Sequence, residues 1–204
     1  MLKAACLVLG SLLVVSCSSD NVQPTAPFSV PVVTQQQHAP AAAAQANGGN
    51  YGTPLSAAEE VMPAGVTNTS NARGNAIFQL SADGTELSYK LIVANIENAF
   101  MAHIHRGVAG TNGGIVVWLY PSTATVPGPV GGGRLDGVIA EGTITAANLV
   151  GTLAGMPLSA LIDLLQTGGA YVNVHTNDGI APTNTGPGDF PGGEVRGQVE
   201  HRGH

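Results

Sequence analysis

Two segments that alternate polar and apolar residues, separated by a turn dipeptide, constrain the fold of this chain most. Residues 74–81 and 86–94 both alternate in this way, which is the pattern of a β-strand with one buried face. Asp83-Gly84 lies between them, and this dipeptide favours a tight hairpin turn. The sequence therefore predicts that the two segments pair as an antiparallel hairpin.

Further segments have the composition of short strands, and the loops between them are rich in glycine, proline and asparagine. These segments are residues 101–106, 115–120, 138–145, 170–176 and 194–199. Residues 115–120 are apolar on both faces, so we expect that strand at the centre of a sheet. Residues 157–165 show the spacing of a short amphipathic helix. Together these patterns predict an all-β fold, an antiparallel Greek-key-like β-sandwich with one short amphipathic helix.

The N-terminal residues resemble a bacterial export signal. A positive charge at Lys3 precedes an apolar run that is too short to span a bilayer. The run ends in Val-Val-Ser-Cys, which resembles the lipobox whose cysteine is cleaved and acylated. We therefore expect a signal peptide over 1–16, lipidation at Cys17 and anchoring in the cell envelope, with Ser18 favouring the outer membrane. An ordinary signal peptide cut nearby is the alternative.

Composition divides the rest of the chain and limits its partners. Residues 17–50 are rich in proline, glutamine and alanine and predict a disordered tether. Residues 51–200 then form the predicted β domain, and residues 201–204 a C-terminal tail. Seven Lys and Arg stand against 13 Asp and Glu, and no basic cluster is present, so nucleic acid is not an expected partner.

The histidines are the residues most suited to chemistry. His103 and His105 are two apart in a predicted strand, so their side chains share a face. Tyr171, Asn173 and His175 likewise share a face of a later strand, which makes Tyr171 and Asn173 candidate supporting residues, with Asn173 a hydrogen-bonding partner rather than a ligand. If these strands are neighbours, three imidazoles meet, and three neutral nitrogen ligands suit copper or, as second choice, zinc. The alternative is that the histidines are simply hydrogen-bonded within the structure.

Charged residues near these strands are candidates for supporting roles. Glu194 and Arg196 share a face of the last predicted strand, so Glu194 is a candidate ligand or acceptor for a histidine N–H. The interpretation we prefer pairs Glu194 with Arg196 or with Arg106 in a partly buried ion pair. No G-x-S-x-G, H-E-x-x-H or phosphate-binding glycine loop is found in the sequence. We therefore lean against an enzyme.

Several ordered motifs together resemble the CHRD domain, named for its occurrence in chordin. These are residues 102–107 (Ala-His-Ile-His-Arg-Gly), 112–116, 170–176 and 193–199. Residues 60–63 and 72–76 resemble the opening strands of that domain. The resemblance implies a β-sandwich that is found in an extracellular growth-factor antagonist in animals and in exported bacterial proteins.

The His-x-His pair and the later histidine are also similar to copper,zinc superoxide dismutase, a Greek-key sandwich. This chain departs from that enzyme because no histidine lies between Arg106 and Ala170, which leaves too few for a bridged metal pair. The leading hypothesis is a lipid-anchored, non-enzymatic protein of the cell envelope that binds one transition metal through His103, His105 and His175. The alternatives are a mononuclear copper redox or dismutase-like enzyme, and a structural or adhesion module without metal.

Overall fold

The computed structural model describes residues 49–123 and 125–203. The predicted signal peptide, Cys17 and almost all of the predicted tether lie outside the described residues. Within them, the chain forms nine strands and one α-helix: β1 Asn50–Ser56, β2 Arg73–Leu80, β3 Leu87–Glu97, β4 Ala99–Arg106, β5 Ile115–Tyr120, β6 Arg134–Ile144, α1 Leu158–Gln166, β7 Ala170–Thr176, β8 Val195–Gln198 and β9 Glu200–Arg202. None of the helices in these residues is long and apolar enough to cross a membrane.

The strands form a single antiparallel sheet that nearly closes on itself. Its order is β5-β4-β7-β8-β1-β2-β3-β6, and β9 pairs with β1. The two end strands, β5 and β6, also contact each other. The predicted all-β class is therefore confirmed, with an arrangement between a sandwich and a barrel.

The β2–β3 hairpin shows why these residues form strands. Leu80 pairs with Leu87 at the end of the ladder, and the predicted Asp83-Gly84 turn lies between them. The Asp83 carboxylate accepts hydrogen bonds from the turn, and Gly84 has a φ of 72°, a conformation that glycine adopts without a steric penalty. Apolar side chains then alternate into one continuous core.

Helix α1 packs its apolar stripe against that same core. Leu158, Leu161, Ile162 and Leu165 are all buried, as their spacing predicted. The helix therefore contributes to the hydrophobic core of the domain.

Two predictions about strands were wrong. Residues 60–63, expected to be an opening strand, form no strand, and the chain instead enters the sheet through β1. Residues 115–120, expected to be central, form the end strand β5. Other segments hydrogen-bond to this end strand: Val150 N–H donates to the Val116 carbonyl at 2.9 Å. The Tyr89 hydroxyl donates to the Leu119 carbonyl at 2.7 Å.

The last described residues also belong to the sheet. Residues 200–202, which include part of the expected tail, form β9. Tyr51 of β1 pairs with His201, and the two rings meet edge to face.

Candidate metal centre

The register of β4 and β7 brings the three histidines onto one face of the sheet. In this antiparallel pair Met101 lies opposite His175, His103 opposite Asn173, and His105 opposite Tyr171. His175 is therefore the diagonal neighbour of His103, within reach of a ring side chain. Neighbouring positions on both strands point the other way, into the hydrophobic core.

The three imidazoles converge closely. One ring nitrogen from each of His103, His105 and His175 lies within 4.8 Å of the other two. Nδ1 of His103 and Nε2 of His175 are 3.1 Å apart. The side chains are buried, with 0%, 7% and 5% of their surfaces exposed. The histidine face is thus the floor of a covered site.

Backbone carbonyls from two loops orient two of the rings. Nδ1 of His105 donates to the Gly113 carbonyl at 2.8 Å, and Nδ1 of His175 donates to the Pro191 carbonyl at 2.8 Å. A carbonyl only accepts, so each Nδ1 carries the hydrogen and each neutral ring keeps its lone pair on Nε2. This N–H to carbonyl contact is the usual arrangement behind a metal-binding histidine.

The third ring, His103, is held differently. Its Nδ1 faces His175, and its buried Nε2 has no hydrogen-bond partner within the described part of the chain. The ring meets Trp118 of β5 edge to face, with centroids 4.2 Å apart and planes at 84°. Trp118 is half-buried and covers His103 from the solvent side.

Burial keeps these histidines neutral. It lowers the pKa of His103 to about 2, assisted by the neighbouring His175 and His105. Burial also lowers the pKa of His175 to about 4, and it lowers the pKa of His105. A buried imidazole without a carboxylate partner resists protonation. At neutral pH the site therefore presents three uncharged imidazole rings.

The predicted supporting residues of β7 and β8 surround the histidines. Tyr171 stacks on His105, with ring centroids 4.9 Å apart and planes at 9°. The Arg196 guanidinium lies 3.4 Å from the centre of the Tyr171 ring. Asn173 lies across from His103, and its Oδ1 is buried without a hydrogen-bond partner in the residues described. The structure thus gathers these three side chains around the site.

The predicted roles of Glu194 and Arg106 were wrong. Glu194 is 1% exposed, but its carboxylate accepts hydrogen bonds from the Ser70 hydroxyl, the Thr176 hydroxyl and the Gly188 N–H. Within the described residues it forms no ion pair with an arginine. Arg106 is exposed, and as the last residue of β4 it does not share the face of the histidines. Glu194 fixes loops instead of facing the site.

One acidic residue near the site was missed. Glu60 lies in the segment that follows β1, and its buried Oε1 has no hydrogen-bond partner among the described atoms. The Glu60 carboxyl and the Asn173 amide both lie close to Gly193, in the space that a side chain there would fill. Burial raises the pKa of Glu60 to about 7, although Arg196 and Asn173 act to lower it. Glu60 lies outside every strand of the described residues, so alternation along a strand could not predict this contact.

Comparison with known proteins adds the family. A protein-family model described as the CHRD domain matches residues 51–199, which is most of the chain and includes all the site residues above. No curated protein is similar enough to be matched.

Proposed function

The chain belongs to the CHRD domain family, and from this premise we propose that it is a non-enzymatic module that binds one transition-metal ion. The ligands are His103, His105 and His175, and copper is the favoured ion. We further propose that the domain is exported and held at the cell envelope by a lipid on Cys17.

The observation that carries the metal proposal is the convergence of three neutral, preoriented imidazoles. The hydrogen bonds to Gly113 and Pro191 place the lone pairs of His105 and His175 on Nε2. In the metal-free protein His103 Nδ1–H donates to His175 Nε2 at 3.1 Å, and a bound metal ion would take the place of that shared hydrogen. Nitrogen ligands lie roughly 2.0–2.1 Å from copper or zinc. Two nitrogens bound to the same ion therefore lie at most about 4.2 Å apart. The three histidine nitrogens lie within 4.8 Å of one another, so small ring rotations would bring all three within bonding distance of one ion.

The donor set favours copper over zinc and disfavours harder ions. Three neutral nitrogens suit copper and zinc, whereas calcium, magnesium and manganese prefer oxygen. Copper(II) binds nitrogen sites more tightly than zinc does under the Irving–Williams order. When bound, the metal would supply a Lewis-acidic and, for copper, a redox-active centre. The burial of all three rings leaves little access for a substrate, which supports a binding role.

Fluorescence offers a direct test, because Trp118 is the one tryptophan in the sequence and contacts His103. Copper(II) added to the metal-free protein should quench this fluorescence until one ion is bound. His103→Ala, His105→Ala and His175→Ala should each weaken binding more than the roughly 10- to 100-fold typical of losing an outer-shell partner.

The matched control is His201→Ala, because His201 is an exposed histidine on β9. It should bind as wild type does. Equal quenching in all four variants would mean that copper binds elsewhere and would refute the site. Superoxide turnover by the loaded protein would instead refute the non-enzymatic role.

The anchoring proposal has its own test. It is supported by the apolar run before Cys17 and the lipobox-like residues around it. Labelled palmitate should be incorporated into the wild-type chain and not into Cys17→Ala. Equal labelling of both chains would contradict lipidation at this residue.

A further inference from the structure

Arg196 is a buried cation whose hydrogen bonds all reach one loop. Its side chain is 2% exposed. The guanidinium donates to Asn112 Oδ1 at 3.1 Å, to the Thr111 carbonyl at 2.8 Å and to the Val108 carbonyl at 3.3 Å. These three acceptors belong to residues 107–114, which connect β4 to β5 and are called the 107–114 loop below. A buried charge is costly unless it is well satisfied, so this loop is tied firmly to β8.

The same loop supplies the carbonyl that orients His105. The Gly113 carbonyl accepts from His105 Nδ1, and the Gly113 N–H donates to the Tyr171 hydroxyl at 3.1 Å. A Cβ on Gly113 would lie 1.7 Å from the Arg106 carbonyl oxygen. The loop backbone therefore lies directly against β4, in a position that only glycine can occupy.

Arg196 reaches His105 by a second route, through Tyr171. Since β7 lies between β4 and β8 in the sheet, the Tyr171 ring stands between the imidazole of His105 and the guanidinium of Arg196. A cation over an aromatic face is favourable, and more so when it is desolvated. Arg196 thus holds both the stacked ring and the carbonyl that fix His105.

We propose that Arg196 is a positioning residue of the metal site, which holds the 107–114 loop and Tyr171 so that Nε2 of His105 faces the other two histidines. The part of this inference that is tested by copper binding rests on the proposed metal function. Its effect on the His105 ring is independent of metal.

The metal-free readout is the Nδ1–H proton of His105, observed by NMR in the full ¹⁵N-labelled chain carrying Cys17→Ser. In wild type this proton should be visible and slow to exchange, because it is buried against the Gly113 carbonyl. In Arg196→Gln the signal should broaden or vanish. Arg196→Lys keeps the charge but lacks the planar guanidinium group with its several N–H donors, so the His105 signal should be only partly retained.

The copper readout uses the same variants. Arg196→Gln should weaken copper binding roughly 10- to 100-fold, as expected for an outer-shell partner. It should also change the nitrogen hyperfine pattern in the electron paramagnetic resonance spectrum of the copper(II) form. A merely structural loss would lower the melting temperature without changing the spectrum of the copper that still binds.

The matched control is Arg106→Gln. Arg106 adjoins His105 in the sequence but is exposed at the end of β4 and does not share the histidine face, so both readouts should remain as in wild type. An unchanged His105 proton and copper spectrum in Arg196→Gln would overturn the proposal, as would an equal loss in Arg106→Gln. If wild type binds no copper, the proposed function fails, and the NMR readout still decides the role of Arg196.

Asn112→Ala keeps the inference testable if Arg196→Gln does not fold. It removes the loop side chain whose Oδ1 accepts from Arg196 at 3.1 Å and leaves Arg196 and Gly113 in place. Faster exchange of the His105 Nδ1–H proton, with the far-ultraviolet circular dichroism unchanged, would support the proposal. Exchange at the wild-type rate would overturn it.

Discussion

Acidification of the metal-free protein should lower its free energy of unfolding across the range from pH 6.5 to pH 4.5. His103 and His175 have an ordinary pKa of 6.5, which the fold lowers to about 2 and about 4. In this window the unfolded chain binds protons at both histidines and the folded protein does not. Stability therefore rises with pH and is lost as the pH falls.

Glu60 acts in the opposite direction. Its pKa rises from 4.5 in the unfolded chain to about 7 in the fold, so in the same window the folded protein holds the extra proton. Each such group changes the free energy of unfolding by at most about 1.4 kcal/mol per pH unit. The two histidines lower the free energy of unfolding as the pH falls, and Glu60 offsets one of them. The net loss of unfolding free energy is about 3 kcal/mol over two pH units. His105, whose pKa burial also lowers, adds to this loss.

The assay is urea unfolding of chelator-treated protein, followed by circular dichroism at several pH values. Glu60→Gln removes the opposing group and should roughly double the dependence on pH, to about 5 kcal/mol over the window. His175→Gln should make the dependence shallower. Glu59→Gln, an exposed carboxylate beside Glu60, should leave it as in wild type. Equal slopes in wild type, Glu60→Gln and His175→Gln would refute the reasoning.

Four further substitutions test the fold. Gly113→Ala would place a Cβ 1.7 Å from the Arg106 carbonyl oxygen and should cost at least about 2 kcal/mol of stability; Gly114→Ala, with no atom within 4 Å, should cost far less in the same urea titration. Glu194→Ala leaves three buried donors without an acceptor and should lower stability by about 3 kcal/mol or more, measured as a fall in the urea midpoint. Lys90→Ala breaks an exposed ion pair of 3.2 Å and should change the unfolding free energy by less than about 1 kcal/mol; a larger loss would contradict its screening by solvent.

The sequence could predict which site residues share a face of the same strand. His103 and His105 had to share a face, and so did Tyr171, Asn173 and His175, because the side-chain period of a strand is two. Their meeting could not be predicted, because it depends on β4 and β7 being neighbours in a register that sets Met101 opposite His175. Many residues separate those strands along the chain, and no local pattern encodes their pairing.

The acidic residues show why the remaining part was misjudged. Glu194 was expected to pair with Arg196 because the two are close in the sequence. The ladder between β7 and β8 begins at Val174 and Val195, so Glu194 lies just before the strand. Its carboxylate accepts from two loop residues and from Thr176 at the end of β7. Arg196 instead acts on Glu60, a residue from a segment far earlier in the chain, by lowering the pKa that burial raises.

The hydrogen bonds that orient the histidines and Arg196 therefore come from loops, while the strands decide which faces meet. The sheet supplies the three imidazoles, but the 107–114 loop and the Pro191 carbonyl decide which nitrogen of His105 and of His175 carries hydrogen. Replacing Val108, Thr111 and Asn112 with glycine keeps the loop carbonyls but removes Asn112 Oδ1 and loosens the backbone. We expect the fold to stay intact by circular dichroism and copper binding to weaken, whereas unchanged affinity would show that the carbonyls stay in place without those side chains.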